Sequence, residues 1–154
     1  MSDAVTKPTA GAIPALEVPP RARPSSYPPV FAARVAGRVK RPLGDLFGLR
    51  NVGVNLTCLK PGAASALHHR HSRQDELIYV LEGEVEQWVE REVRVLRPGE
   101  VAHIPRAMVH ATYNAGKQDA VILAILSPAS CAGPFAVDVS GEEPWKSLRP
   151  VSGH

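Results

Sequence analysis

A chain of 154 residues, 44% apolar, 21% charged and 5% aromatic, is long enough for one domain with a sizeable core. Its two cysteines, Cys58 and Cys131, are too few and too far apart for a disulfide scaffold or a thiolate zinc ribbon. No run approaches the roughly 18 apolar residues of a membrane span, and the first 30 residues lack a secretory pattern, so a cytoplasmic protein with no membrane partner is expected. The net charge of +3 is concentrated at the front, where residues 1–50 hold eight Lys/Arg against three acids. These charges alternate with prolines and lack interleaved aromatics, which argues against a nucleic-acid partner.

Eight of the fifteen prolines fall in residues 1–42, which excludes a long helix or a central strand there. Residues 1–30 read as a proline-rich arm, flexible or covering a partner. The following stretch to Phe47 reads as an edge strand with a turn near 42–45. From residue 52 onward short β-rich runs alternate with turn signals, the texture of an all-β sandwich or barrel. Strands are predicted over 52–59, 65–71, 76–81, 85–90, 92–96, 101–104, 110–114 and 120–126, so the barrel is placed at 31–127. Residues 128–154 read as a C-terminal tail docked through Trp145 and Leu148. The strands at 76–81 and 120–126 are apolar on both alternating faces. One face can fill the barrel and the other needs a cover, which predicts a homodimer.

Five of the six histidines lie between positions 68 and 110. On a strand, His69 and His71 share one face while His68 and Arg70 take the other. Glu76 opens the next apolar strand; if that strand pairs with the first, its carboxylate lies beside the two imidazoles, and a lone acid there is costly unless it meets a cation. His110 follows a turn and opens a further strand. Three imidazoles and a carboxylate make a site for one divalent transition metal per chain, Fe, Mn, Ni, Cu or Zn, with open positions for water and substrate.

Two motifs carry a family resemblance. The first reads Gly62-x6-His69-x-His71-x4-Glu76-x6-Gly83 and the second Gly99-x5-Pro105-x-Ala107-x2-His110-x3-Asn114. In order and at this separation they resemble the cupin superfamily, in particular its small bacterial single-domain members. The resemblance implies an all-β double-stranded β-helix, a jelly roll, with His69, His71, Glu76 and His110 as metal ligands. Two departures stand out. One extra residue precedes the first ligand, which opens a competing register through His68; that register would make Arg70 the second ligand, and a cation is a poor one. Ala107 replaces a family glycine, which suggests a turn without positive φ.

The fold leaves the reaction open. The leading expectation is a metal-dependent enzyme on a small organic molecule, with dioxygenase-like oxidation first. In that reading Ile78 and Val80 line an aliphatic substrate pocket and Glu76 also relays a proton. The alternatives are a metal-dependent isomerase or decarboxylase of a sugar or carboxylic acid, and a non-catalytic ligand-binding protein. The isomerase reading wants cationic or hydroxyl-bearing residues inside the barrel.

Overall fold

The computed structural model describes residues 11–21, 33–130 and 136–144; the expectations for Cys131, Trp145 and Leu148 lie outside them. Among the described residues, ten strands form two five-stranded antiparallel sheets: β1 (Arg38–Pro42), β2 (Gly53–Leu59), β3 (Ala64–His71), β4 (Asp75–Glu82), β5 (Val85–Val89), β6 (Glu92–Leu96), β7 (Val101–Ile104), β8 (His110–Tyr113), β9 (Ala120–Ser127) and β10 (Ala136–Asp138). One sheet runs β1-β2-β9-β4-β7 and the other β10-β3-β8-β5-β6. This is a double-stranded β-helix. The turn expected after β1 is a short helix, α1 (Leu43–Leu46), and no helix among the described residues is long and apolar enough to cross a membrane.

Inward positions alternate along β4, where Glu76, Ile78 and Val80 are buried and Leu77, Tyr79 and Leu81 are not. Ile78 and Val80 pack with Leu59, Ile104, Ile122 and Leu96 into one apolar cluster between the sheets. A second cluster, Val35, Ala64, Leu67, Trp88, Ala111 and Tyr113, is built on the β3, β5 and β8 sheet. The other sheet has no such cover among the described residues. Val39, Leu77, Tyr79, Leu81 and Val101 remain 37–57% exposed on its outer side.

The chain passes between the sheets at a three-residue corner after His71. Gln74, fully buried there, donates to the Pro128 carbonyl at 2.8 Å and to Ser130 Oγ at 3.2 Å. β3 and β4 therefore do not pair. β4 lies between β9 and β7, and β3 lies between β10 and β8, which corrects the expectation that Glu76 reaches the histidines as an in-sheet neighbour.

Two turns have a backbone conformation with positive φ that bears on the motifs. At Gly83, φ is +72°, and a Cβ would meet the Asp119 carbonyl at 2.5 Å, so glycine is required by both conformation and space. Ala107 has φ +65°, contrary to the turn without positive φ read from the sequence. Its N–H donates to the His71 carbonyl at 2.9 Å, which ties the β7–β8 loop to the corner in the left-handed conformation that the family glycine adopts without strain. Ala107→Gly is expected to raise stability by about 0.5–1 kcal/mol, read as a higher urea midpoint at an unchanged slope.

Candidate metal centre

His69, His71 and His110 project from one sheet and Glu76 from the other, and one donor atom from each lies within 4.8 Å of the rest. The pairing of β3 with β8 sets His69 opposite His110. The register of β3 shifts between Ala64 and Ala66 and again between Ala66 and His69. Ala66 and His69 both reach the same cavity although they stand three residues apart, an odd step that a β-bulge absorbs. The extra residue in the first motif is taken up in this irregular stretch. His69, and not His68, joins His71 at the centre.

His68 faces the opposite way but is buried, not solvent-facing. Its ring packs edge-on against Trp88 at 5.7 Å between centroids, with Tyr113 at 6.0 Å. Asn114 is structural: its amide donates to the carbonyls of Leu59 and Gln118 and its Oδ1 accepts from Gly116 N–H.

The hydrogen bonds around the four side chains show what the cluster fits. His69 Nδ1 lies 2.6 Å from the Leu67 carbonyl and His110 Nδ1 lies 3.0 Å from the Met108 carbonyl. A carbonyl only accepts, so both Nδ1 atoms carry protons, and in the neutral form of each ring Nε2 presents a lone pair. Yet His110 Nε2 stands 2.9 Å from Glu76 Oε2, and His69 Nε2 stands 3.1 Å from His71 Nε2. His71 Nε2 in turn lies 3.0 Å from the same carboxylate oxygen, while its buried Nδ1 has no partner among the described residues. Lone pairs at these separations repel unless a cation lies between them.

The electrostatics agree. Burial, reinforced by the neighbouring His110, lowers His69 to a pKa of about 3, so its ring is neutral at pH 7 as a metal ligand must be. Burial alone would raise the Glu76 carboxyl. Protons on Nε2 of His110 and His71, which hydrogen-bond the carboxylate and bring positive charge to it, outweigh burial and hold it well below the usual carboxylate range; a metal ion in their place would act in the same direction. Three imidazole nitrogens and a carboxylate oxygen are the donor set of a first-row divalent metal, and these residues could hold one.

The lining of the cavity at this cluster differs from the aliphatic pocket expected. Arg21, Lys40, Asn55, Ser65, Thr112 and Ser130 share it with the four ligand candidates. Neither Ile78 nor Val80 does; both belong to the apolar cluster. A cavity of about 490 Å³ exists at the open edge by β6 and β7, where Val89, Leu96, Val101, Ala102 and Met108 line it together with the polar Gln87, Glu90, Glu92, Arg94 and His103, but none of the four ligand candidates borders it. The sequence reading missed Arg21 and Lys40. Alternation along β1 could have flagged Lys40, whereas nothing local marks Arg21.

The fold and the centre together define a jelly-roll protein with a three-histidine, one-glutamate site. Comparison with known proteins makes this specific. The Cupin domain family matches residues 55–126. A sugar phosphate isomerase structure from Silicibacter pomeroyi DSS-3, itself described as from a cupin superfamily, shares 32% identity with a TM-score of 0.69, covering 75% of this chain and 74% of that one. A Thermus thermophilus protein shares 29% (TM-score 0.56; 69% and 91% covered). An oxalate oxidase in complex with glycolate shares 25% (TM-score 0.56; 67% and 55% covered). No curated protein matches. The chain belongs to the cupin superfamily.

Burial, with the adjacent Arg38 and Arg21, lowers Lys40 to a pKa of about 8 from an ordinary 10.5. Below pH 8 the ammonium is charged in both the folded and unfolded chain and destabilises the fold. Between pH 8 and 10.5 the unfolded chain binds the extra proton, so stability rises with pH. Lys40→Met should therefore be more stable than the natural chain at pH 7 in anion-poor buffer, with the difference closing by pH 10.5 in urea titrations.

Proposed function

We propose that this cupin is a metal-dependent enzyme acting on a small, oxygen-rich polar molecule, with isomerisation of a hydroxycarbonyl compound as its reaction. The observation that carries this is the cavity itself, in which the three imidazoles and Glu76 open onto Lys40, Arg21, Asn55, Ser65, Thr112 and Ser130. Hydroxyls, an amide and cations are the partners of a hydroxylated substrate. They differ from the aliphatic lining that accompanied the oxidative reading. The similarity to a protein described as a sugar phosphate isomerase supports the same class.

His69, His71, Glu76 and His110 would hold the divalent ion. When bound it supplies Lewis-acid polarisation of a substrate oxygen. Around it, Ser65, Thr112 and Asn55 orient substrate hydroxyls, and the Glu76 carboxylate, kept ionised, passes a proton at its outer oxygen. The apolar cluster further along the inward face of β4 closes that end of the interior to water.

The test combines metal analysis with exchange. The natural chain loaded with Mn(II), Fe(II), Ni(II) or Zn(II) should bind about one ion and, with small aldose and ketose phosphates in D₂O, catalyse exchange of the proton beside the carbonyl. His69→Ala and His110→Ala should lose both the ion and the exchange, and His68→Ala should keep the ion. Oxygen uptake with Fe(II) and no exchange would return the assignment to dioxygenase-like oxidation.

We also propose a homodimer formed through the outer side of the β1-β2-β9-β4-β7 sheet, where the exposed Val39, Leu77, Tyr79, Leu81 and Val101 form the face expected to need a cover. Light scattering should give twice the chain mass, and Leu77→Glu with Tyr79→Glu should give the monomer with its metal content intact.

A further inference from the structure

We propose that Lys40 and Arg21 form an oxyanion-binding subsite beside the metal ligands, which takes a phosphate or carboxylate group of the substrate. This deepens the functional reading above and rests on it for the role of the bound molecule, but not for the binding itself.

The pairing of β1 with β2 sets Lys40 opposite Thr57 and Arg38 opposite Leu59, and Thr57 and Leu59 belong to the buried interior. Two cations thus stand on the inward side of an edge strand. Arg38 is accounted for, because its guanidinium donates to the Ser65 carbonyl on β3 and joins the two sheets at this edge. The Lys40 ammonium is not. Among the described residues it makes no ion pair and no hydrogen bond, although it lies in the cavity that holds the four ligand candidates. A partly buried cation without a counter-ion is costly, and the charged groups flanking this one are chiefly Arg38 and Arg21, which add to the cost. Glu76 attracts it, but that carboxylate is taken by His71 and His110. Asp45 reaches the cavity wall from α1 and pairs with neither cation.

Arg21 comes from outside the barrel. Its backbone N–H donates to the Lys40 carbonyl at 2.8 Å, and Arg41 holds the same segment by donating to the Val18 carbonyl at 2.6 Å. Residues 18–21 thereby run alongside β1 and bring an exposed guanidinium to the cavity where Lys40 sits within. The division suits an oxyanion. A guanidinium fork engages two oxygens from the solvent side, and an ammonium supplies a point charge from inside. A further donor stands next to Lys40: Thr57, its partner in β2, is wholly buried, and its hydroxyl has no hydrogen-bond partner among the described residues. Two cations at the cavity, an unmatched hydroxyl beside one of them and a single wall carboxylate, Asp45, that pairs with neither are completed by a group that brings negative charge and acceptor oxygens.

The experiment is calorimetric titration of the full chain with inorganic phosphate and, separately, acetate, for the natural protein, Lys40→Met and Arg21→Gln, with the metal content of each preparation measured. Binding of at least one anion should weaken roughly tenfold to a hundredfold in both variants, with metal content equal to that of the natural chain. Preference for phosphate identifies a phosphorylated substrate, and preference for acetate a carboxylate. Arg21→Gln alters an exposed side chain, so it remains informative even if Lys40→Met fails to fold. Unchanged anion affinity in the variants overturns the proposal, as does loss of metal along with the anion. A natural chain that binds no metal but shows Lys40-dependent anion binding would leave the subsite standing and remove the enzymatic reading.

Discussion

Four electron-pair donors held within 4.8 Å of one another in a buried space repel unless a cation lies among them, and much of this structure serves to hold them there. His69 and His110 are fixed through Nδ1 by the carbonyls of Leu67 and Met108, which aims their free lone pairs at the centre. Glu76 comes from the opposite sheet, so the centre exists only while the two sheets remain closed on each other. The Gln74 corner and the Ala107 loop, hydrogen-bonded to Pro128 and to His71 respectively, brace that closure near the ligands. A metal bound here would bridge the sheets and stabilise the fold that forms its site.

The interior is divided along β4. Within four residues it passes from the ionised Glu76 to Ile78 and Val80 in the apolar cluster. Toward the β1 and β3 side lies the cavity with its cations and hydroxyls; further along β4 the interior is filled by the apolar cluster. Low dielectric on one side strengthens the charge interactions on the other, which is how a cavity this polar keeps one imidazole neutral and one carboxylate ionised. The segment around residues 18–21 belongs to this electrostatic unit because it brings Arg21 to the cavity.

The motif spacing made most of this arrangement legible. The eight predicted strands appear with ends shifted by at most one residue, because alternating side chains and Gly or Pro turns are local properties. The candidate ligands His69, His71, Glu76 and His110 were readable from type and spacing, and the family resemblance made them specific. Where local rules failed, the cause was tertiary. The bulged stretch of β3 could not be located from spacing alone. Ala107 adopts positive φ because its N–H is drawn to the His71 carbonyl. The aliphatic pocket inferred from Ile78 and Val80 was displaced because inward-facing side chains fill two different regions.

By itself the sequence determined an all-β chain, its strands, and four residues whose lone pairs suit one divalent ion, since periodicity and ligand chemistry depend on residues close in the chain. Only the tertiary structure decided that Glu76 meets the histidines across the sandwich, that His68 packs against Trp88 on the outer layer, and that Arg21 and Lys40 share the ligands' cavity. Those are facts of which sheet a strand joins and which edge a segment lies along. They are set by long-range backbone pairing, for which no local pattern of side chains is a record.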